Sequence, residues 1–194
     1  VELLSFESVG PVIGGEVASR AIQAVLIAAV GILIYISYAF RGVKKSFRYG
    51  VCAIVALFHD TIIVLGVVSI FGRIFNWEID ALFLTALLTV IGFSVHDSIV
   101  VFDRIRENLL KYRRADYEEV VNLSVLQTVD RSINTQLTAL FTLLALALFG
   151  GSSIFHFVVT MMIGLVSGTY SSLFNAAPIL VVWEKREWQR WFGT

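Results

Sequence analysis

Hydrophobic residues in this chain fall in long unbroken runs, and polar residues gather between them. Five runs come close to the roughly 20 residues that an α-helix needs to cross about 30 Å of hydrocarbon. They lie at approximate positions 21–40, 50–71, 81–102, 133–149 and 155–183. The last is long, and Pro178 within it marks a candidate kink or the point where the helix leaves the core. The stretch 103–131 is too charged for lipid. Ile105, Leu109 and Tyr112 nevertheless recur at helical spacing beneath Arg104, Arg106 and Lys111, which predicts an amphipathic helix lying along a membrane surface. Asp116 followed by Glu119 reads as a capping box that opens a second short helix running toward Arg131. The pattern predicts an all-α polytopic membrane protein with five transmembrane helices and short amphipathic helices on one face.

Composition supports the membrane reading, because 57% hydrophobic and 15% charged residues, with a mean hydropathy of +0.81, lie outside the range of soluble domains. Net charge is zero, so the distribution of charge carries the information. Arg41, Lys44, Lys45 and Arg48 follow the first run; Arg104, Arg106, Lys111, Arg113, Arg114 and Arg131 follow the third; Lys185, Arg186 and Arg190 follow the fifth. Only Arg20 and Arg73 fall on the other side. By the positive-inside rule the basic side is cytoplasmic, the start of the chain lies outside, and the C-terminus lies inside. Trp77 marks one boundary, and Trp183, Trp188 and Trp191 mark the other. The lone Cys52 has no internal disulfide partner and reads as a small buried residue. The chain opens at Val1 without a methionine or a basic start, as expected of a piece of a longer polypeptide.

Polar residues inside the runs carry the candidate chemistry. Thr85, Thr89, Gly92 and His96 share one side of the third helix, with Asp97 about 100° further round. Arg131, Thr135, Thr138 and Thr142 repeat the same steps in the fourth, and Gly164, Gly168, Ser172 and Asn175 form a small-residue ridge in the fifth. Such ridges let helices approach closely, and packing is their plainest role. A charge near the bilayer centre costs roughly 2.5 to 3.5 kcal/mol by insertion scales, so Asp60 and Asp97 call for an explanation. Asp97 lies about five residues past the centre of its run, some 8 Å toward the basic side at ~1.5 Å per residue. Arg131 enters the fourth run from that same side. Desolvation favours a neutral carboxyl and an adjacent guanidinium favours a charged one, so movement of Arg131 against Asp97 would make a proton switch. The alternative is a static ion pair or a hydrogen-bonded acid. His59 and His96 precede the two aspartates and are candidate relays, or hydrogen-bond donors to a neighbouring helix. With no i, i+4 histidine pair and one cysteine, the sequence calls for no metal and no cofactor.

Several segments together resemble the SecF family, the smaller membrane partner of SecD in bacterial protein export. They are "GFSVHDSIVVFDRIREN" from Gly92, "DRSINTQLTAL" from Asp130, "GLVSGTYSSLFNAAPIL" from Gly164, "VGPVIGGEVA" from Val9 and "VALFHDTIIVLG" from Val55. The resemblance covers nearly the whole chain. It implies five helices of a six-helix RND-type half-domain, with 1–20 as the periplasmic strip leading out of a missing head domain and 184–194 as a cytoplasmic tail. It implies residence in the bacterial inner membrane and a non-enzymatic role with SecD, using the proton gradient to help draw unfolded preproteins through the SecYEG translocon. YidC is a further implied partner; nucleic acid is not implied. By motif position Asp97 resembles the family's proton-carrying aspartate, Arg131 its paired arginine, and Asp60 a further family aspartate. His96 stands where Asn is common and Phe93 where Tyr is common, a departure that bears on the titration of Asp97. The native chain is either a separate SecF or the SecF part of a fused SecD-SecF polypeptide.

Three other readings share parts of this pattern. An RND-type exporter of small molecules or lipids would have the same crossings and intramembrane acids. An intramembrane aspartyl protease would need two aspartates, but Asp60 and Asp97 differ in depth and no GxGD-like motif surrounds either. A purely structural subunit would tolerate Asp97→Asn without loss of transport.

Overall fold

The structure, a computed structural model, describes residues 11–185 except 44 and 78. Expectations placed on residues 1–10, Lys44, Arg186, Trp188, Arg190 and Trp191 lie outside the described residues. Among the described residues every element is helical: α1 Pro11–Ala39, α2 Phe47–Phe75, α3 Ala81–Lys111, α4 Tyr117–Phe149, α5 Ser152–Ser171, a π-helical turn Ser172–Ala176, and α6 Ala177–Lys185. Five spans are long and apolar enough to cross a membrane, with the π turn and α6 completing the fifth. The chain is therefore an all-α, multi-pass membrane protein.

The third helix is the hub, touching every other element of the bundle. It starts where Asp80, in extended backbone, accepts a hydrogen bond from the Phe83 amide at 2.8 Å and so satisfies one of the orphan donors of the first turn. The preceding helix stops at Asn76, whose left-handed conformation (φ 53°) suits asparagine better than a branched residue.

The segment 103–131 departs from expectation. It does not form separate amphipathic helices lying along a surface, because α3 continues unbroken to Lys111 and α4 starts at Tyr117. The apolar residues assigned to lipid are used for helix packing: Ile105, Val120 and Val121 are buried and Leu109 packs against the same core. Asn108 donates to Ser124 Oγ and Gln127 Oε1, both at 2.9 Å, and Arg104 donates to Gln127 Oε1 at 2.7 Å, closing α3 and α4 into a polar hairpin. Asp116 is the N-cap of α4 by position, but makes no side-chain cap bond. Its carboxylate instead meets Lys185 at 2.8 Å.

That basic end is tied together by charge and aromatic packing. Phe40 and Tyr49 stack with centroids 5.4 Å apart, and Phe102 meets both edge-on. Glu184 pairs with Arg48 and Lys45, fastening α6 to α2 and the loop before it. At the opposite end Trp77 stacks on His156, with centroids 4.2 Å apart. Pro178 stands at the second residue of α6, just past the π turn. Lacking an amide hydrogen, and with a ring that crowds the carbonyl a turn earlier, it coincides with a local widening of the helix into the π turn.

Candidate functional site

Two buried carboxylates lie where α3 meets its neighbours. Close approach is possible because α5 presents glycine to α3. A Cβ at Gly164 would overlap the Val90 side chain, and one at Gly168 would lie 3.1 Å from Ser94 Cβ. The small-residue ridge therefore sits against α3, with Ser172 buried in the π turn and its hydroxyl donating to the Gly168 carbonyl.

Asp60, on α2, is fully shielded from solvent. Its Oδ2 accepts from Ser94 Oγ of α3 at 2.5 Å and from Ser171 Oγ of α5 at 2.6 Å. Its Oδ1 accepts from Ser167 Oγ of α5 at 2.7 Å and lies 3.1 Å from His59 Nδ1. Three helices thus converge on one carboxyl group. A carboxylate offers about four lone-pair sites, and here each is engaged. His59, 35% exposed on its side-chain surface, reaches outward from this knot to an apolar groove bordered by Ser167 and Tyr170.

Asp97, on α3, is 4% exposed. Its Oδ2 accepts from Gln136 Nε2 of α4 at 2.6 Å. Gln136 ends a buried polar stripe, Ser124, Thr128, Ser132 and Gln136, stepped by four along the face of α4 that meets α3. Unlike the Asp60 knot, this contact is incompletely paired. Gln136 Oε1, Ser98 Oγ and Ser132 Oγ are buried without hydrogen-bond partners.

Arg131 makes no hydrogen bond or ion pair with Asp97 in this arrangement, where the carboxylate is bonded by Gln136. It lies on the exposed side of α4, and five residues at about 100° each put it some 140° around the helix from Gln136. The ridge expected to form the contact, Thr135, Thr138 and Thr142 with Arg131, is likewise exposed. Its hydroxyls bond the carbonyls of their own helix four residues back. Gly92 also departs from expectation: it is exposed, and a Cβ there would meet nothing within 4 Å. It therefore packs no helix within the described chain. His96 lies beside it on the exposed side of α3 and does not bond Asp97. Thr85 and Thr89 donate their hydroxyls to the Ala81 and Thr85 carbonyls of the same helix. Sequence reading missed Gln136 and the serines around Asp60. The signals available were the four-residue steps Ser132–Gln136 and Ser167–Ser171, the latter running beside the glycine ridge.

The family described as "Protein export membrane protein SecD/SecF, C-terminal" matches residues 1–186. The chain is 59% identical, over 193 residues, to the protein translocase subunit SecF of Anaerolinea thermophila, covering 99% of this chain and 63% of that protein. It is 41% identical to the protein translocase subunit SecDF of Bacillus subtilis, across 93% of this chain and 24% of the longer protein. A crystal structure of SecDF in a super-membrane-facing form superposes with a TM-score of 0.77 at 36% identity, covering 90% of this chain and 23% of that one. The chain spans about three fifths of the SecF relatives it matches, 63% of one and 60% of another.

Proposed function

The chain belongs to the SecD/SecF family of protein-export membrane proteins, and from that membership we propose that it is the SecF-type membrane unit of a proton-driven, non-enzymatic accessory to bacterial Sec export. Its work is done with SecD in the inner membrane, on unfolded preproteins at the SecYEG translocon, with YidC as a further neighbour. The fused SecDF relative supports pairing with a SecD half. His96 on the exposed side of α3, and Arg131 and Thr135 on the exposed side of α4, supply polar surface for such a half, since lipid is a poor solvent for them. Concentration of Lys and Arg at one end supports a cytoplasmic C-terminus.

The observation that carries the reading is Asp97: an acid shut away from water at a contact between two spans, held by one amide whose other end is unpaired. Each proton that crosses a 100 mV potential supplies about 2.3 kcal/mol, which is comparable to one or two hydrogen bonds to a charged group. Capture or release of a proton at Asp97 is therefore large enough to bias the α3–α4 contact. Asp60 serves as a fixed tie, Arg131 faces the partner half, and His96 faces outward from α3 as a candidate proton donor.

Gradient-stimulated export in vesicles that contain the complete complex tests the reading. Asp97→Asn should assemble normally and lose the stimulation. Unchanged stimulation would remove Asp97 from the mechanism. Loss of drug efflux with export intact would favour a small-molecule exporter instead.

A further inference from the structure

We propose that Gln136 reads the protonation of Asp97 by exchanging the two ends of its amide. The inference rests on Asp97 being the proton carrier and adds the residue that converts the proton into a change at the α3–α4 contact. Among the described residues, buried side-chain atoms without a partner are Ser37 Oγ, Ser98 Oγ, Ser132 Oγ and Gln136 Oε1. Two of these lie on the face of α4 that meets Asp97: Gln136 bonds the carboxylate, and Ser132 stands one turn along the same buried face. Unmet acceptors in a packed core are costly, and their concentration at one contact marks an arrangement with a second pairing available to it.

That pairing follows from the inventory of donors. An ionised carboxylate only accepts, so it takes the Nε2–H of Gln136, as observed at 2.6 Å. On gaining a proton, Asp97 forms an O–H bond and becomes a donor. The atom it can then serve is Gln136 Oε1, already buried and empty. A half-turn about the last side-chain torsion of Gln136 brings Oε1 to the new donor and moves Nε2–H away from it. The N–H then takes the position that Oε1 held, which neither the Ser132 nor the Ser98 hydroxyl meets in the present arrangement, so satisfying it requires movement at the α3–α4 contact. No atom is lost or gained other than the one proton. A glutamine is suited to this because its amide carries a donor end and an acceptor end of nearly equal shape.

Other ionisable groups leave the contact to these two residues. His96 flanks Asp97 on its own helix but points to the exposed side. Asp60 and His59 on α2 lie beyond Ser94, which donates to Asp60. Tyr49 is held in the aromatic layer with Phe40 and Phe102. Arg131 stands on the opposite side of α4, and α5 presents serines, with Tyr170 exposed on its far side.

The test is infrared difference spectroscopy across pH on the complete complex in vesicles, with glutamine side chains carrying a carbon-13 label. The Asp97 carboxyl band is identified by its loss in Asp97→Asn. The expected result is a glutamine amide band that shifts with the same midpoint as that carboxyl band and vanishes in Gln136→Met. Export per assembled Gln136→Met complex should fall about tenfold, the order expected for losing one hydrogen bond to a charged group. Because the amide band is read first in the unsubstituted chain, a poorly folding variant does not blunt the test. A titrating carboxyl band with no accompanying amide shift would overturn the role of Gln136 alone. A carboxyl band that never titrates would overturn the carrier reading and this inference with it.

Discussion

Asp60 and Asp97 are the same side chain at similar burial on neighbouring helices, yet their surroundings differ. Asp60 receives hydroxyls from two other helices and has a histidine alongside, leaving no acceptor site idle. Asp97 receives one amide, whose other end is buried and unpaired. A saturated network rigidifies, because any displacement breaks several bonds at once. An unsaturated one can re-pair at small cost. Burial alone therefore does not mark a working acid; what separates the two is the number of partners already committed.

The largest expected effect comes from breaking the saturated side. Asp60→Ala strands Ser94, Ser167 and Ser171 in the core, and at roughly 1 kcal/mol for each lost hydrogen bond should destabilise the fold by about 3 kcal/mol. The thermal midpoint of the purified complex measures this. Gly164→Leu attacks both acids together by driving α5 away from Val90; overpacking of this kind costs about 1 to 3 kcal/mol, visible as the same loss of midpoint with weakened export. Gly92→Ala sharpens the contrast between the two glycines. It should not destabilise the isolated chain, since alanine is favoured over glycine in a helix interior by about 0.5 to 1 kcal/mol, and should reduce co-purification with the partner half.

Asn108→Leu separates the polar hairpin from the acids. It removes the bonds to Ser124 and Gln127 and should cost about 1 to 2 kcal/mol while export per folded complex is retained. The smallest effect is at the exposed basic end. Lys185, hydrogen-bonded to Asp116, holds that carboxyl below the usual carboxylate range. Since the folded value is the depressed one, the pairing contributes fully above the ordinary aspartate range near about 4 and is lost as pH falls through the lowered value. The protection of α6 amides, taken relative to their intrinsic exchange rate at each pH, should therefore fall in acid, and Lys185→Gln should remove that acid dependence.

Hydropathy alone located all five spans, because the requirement for an apolar run is the same wherever a helix crosses lipid. Their lengths were less legible. Ile105 and Leu109 have the spacing of a surface helix, and only the facing residues Val120, Val121 and Ser124 turn that stripe into a hairpin contact. Two polar stripes compete on α4, and the one containing an arginine looked the more purposeful. Threonines in a membrane helix can satisfy themselves on their own carbonyls, however, so their periodicity does not reveal a neighbour. The stripe that meets α3 ends in Gln136, which has no carbonyl outlet for its long amide and finds Asp97 instead. The partners of Asp60 were beyond reading for another reason: Ser94, Ser167 and Ser171 are 34, 107 and 111 residues away in sequence.

Asp60→Asn and Asp97→Asn, compared side by side in the complete complex, separate a tie from a carrier. Both the amount assembled and the gradient-stimulated export per assembled complex are measured. Asp97→Asn should assemble at the normal level and lose the stimulation, whereas Asp60→Asn should assemble poorly and export normally per complex that forms. The reverse pattern, with Asp97→Asn still stimulated and Asp60→Asn well assembled but inert, would contradict the assignment of the two acids.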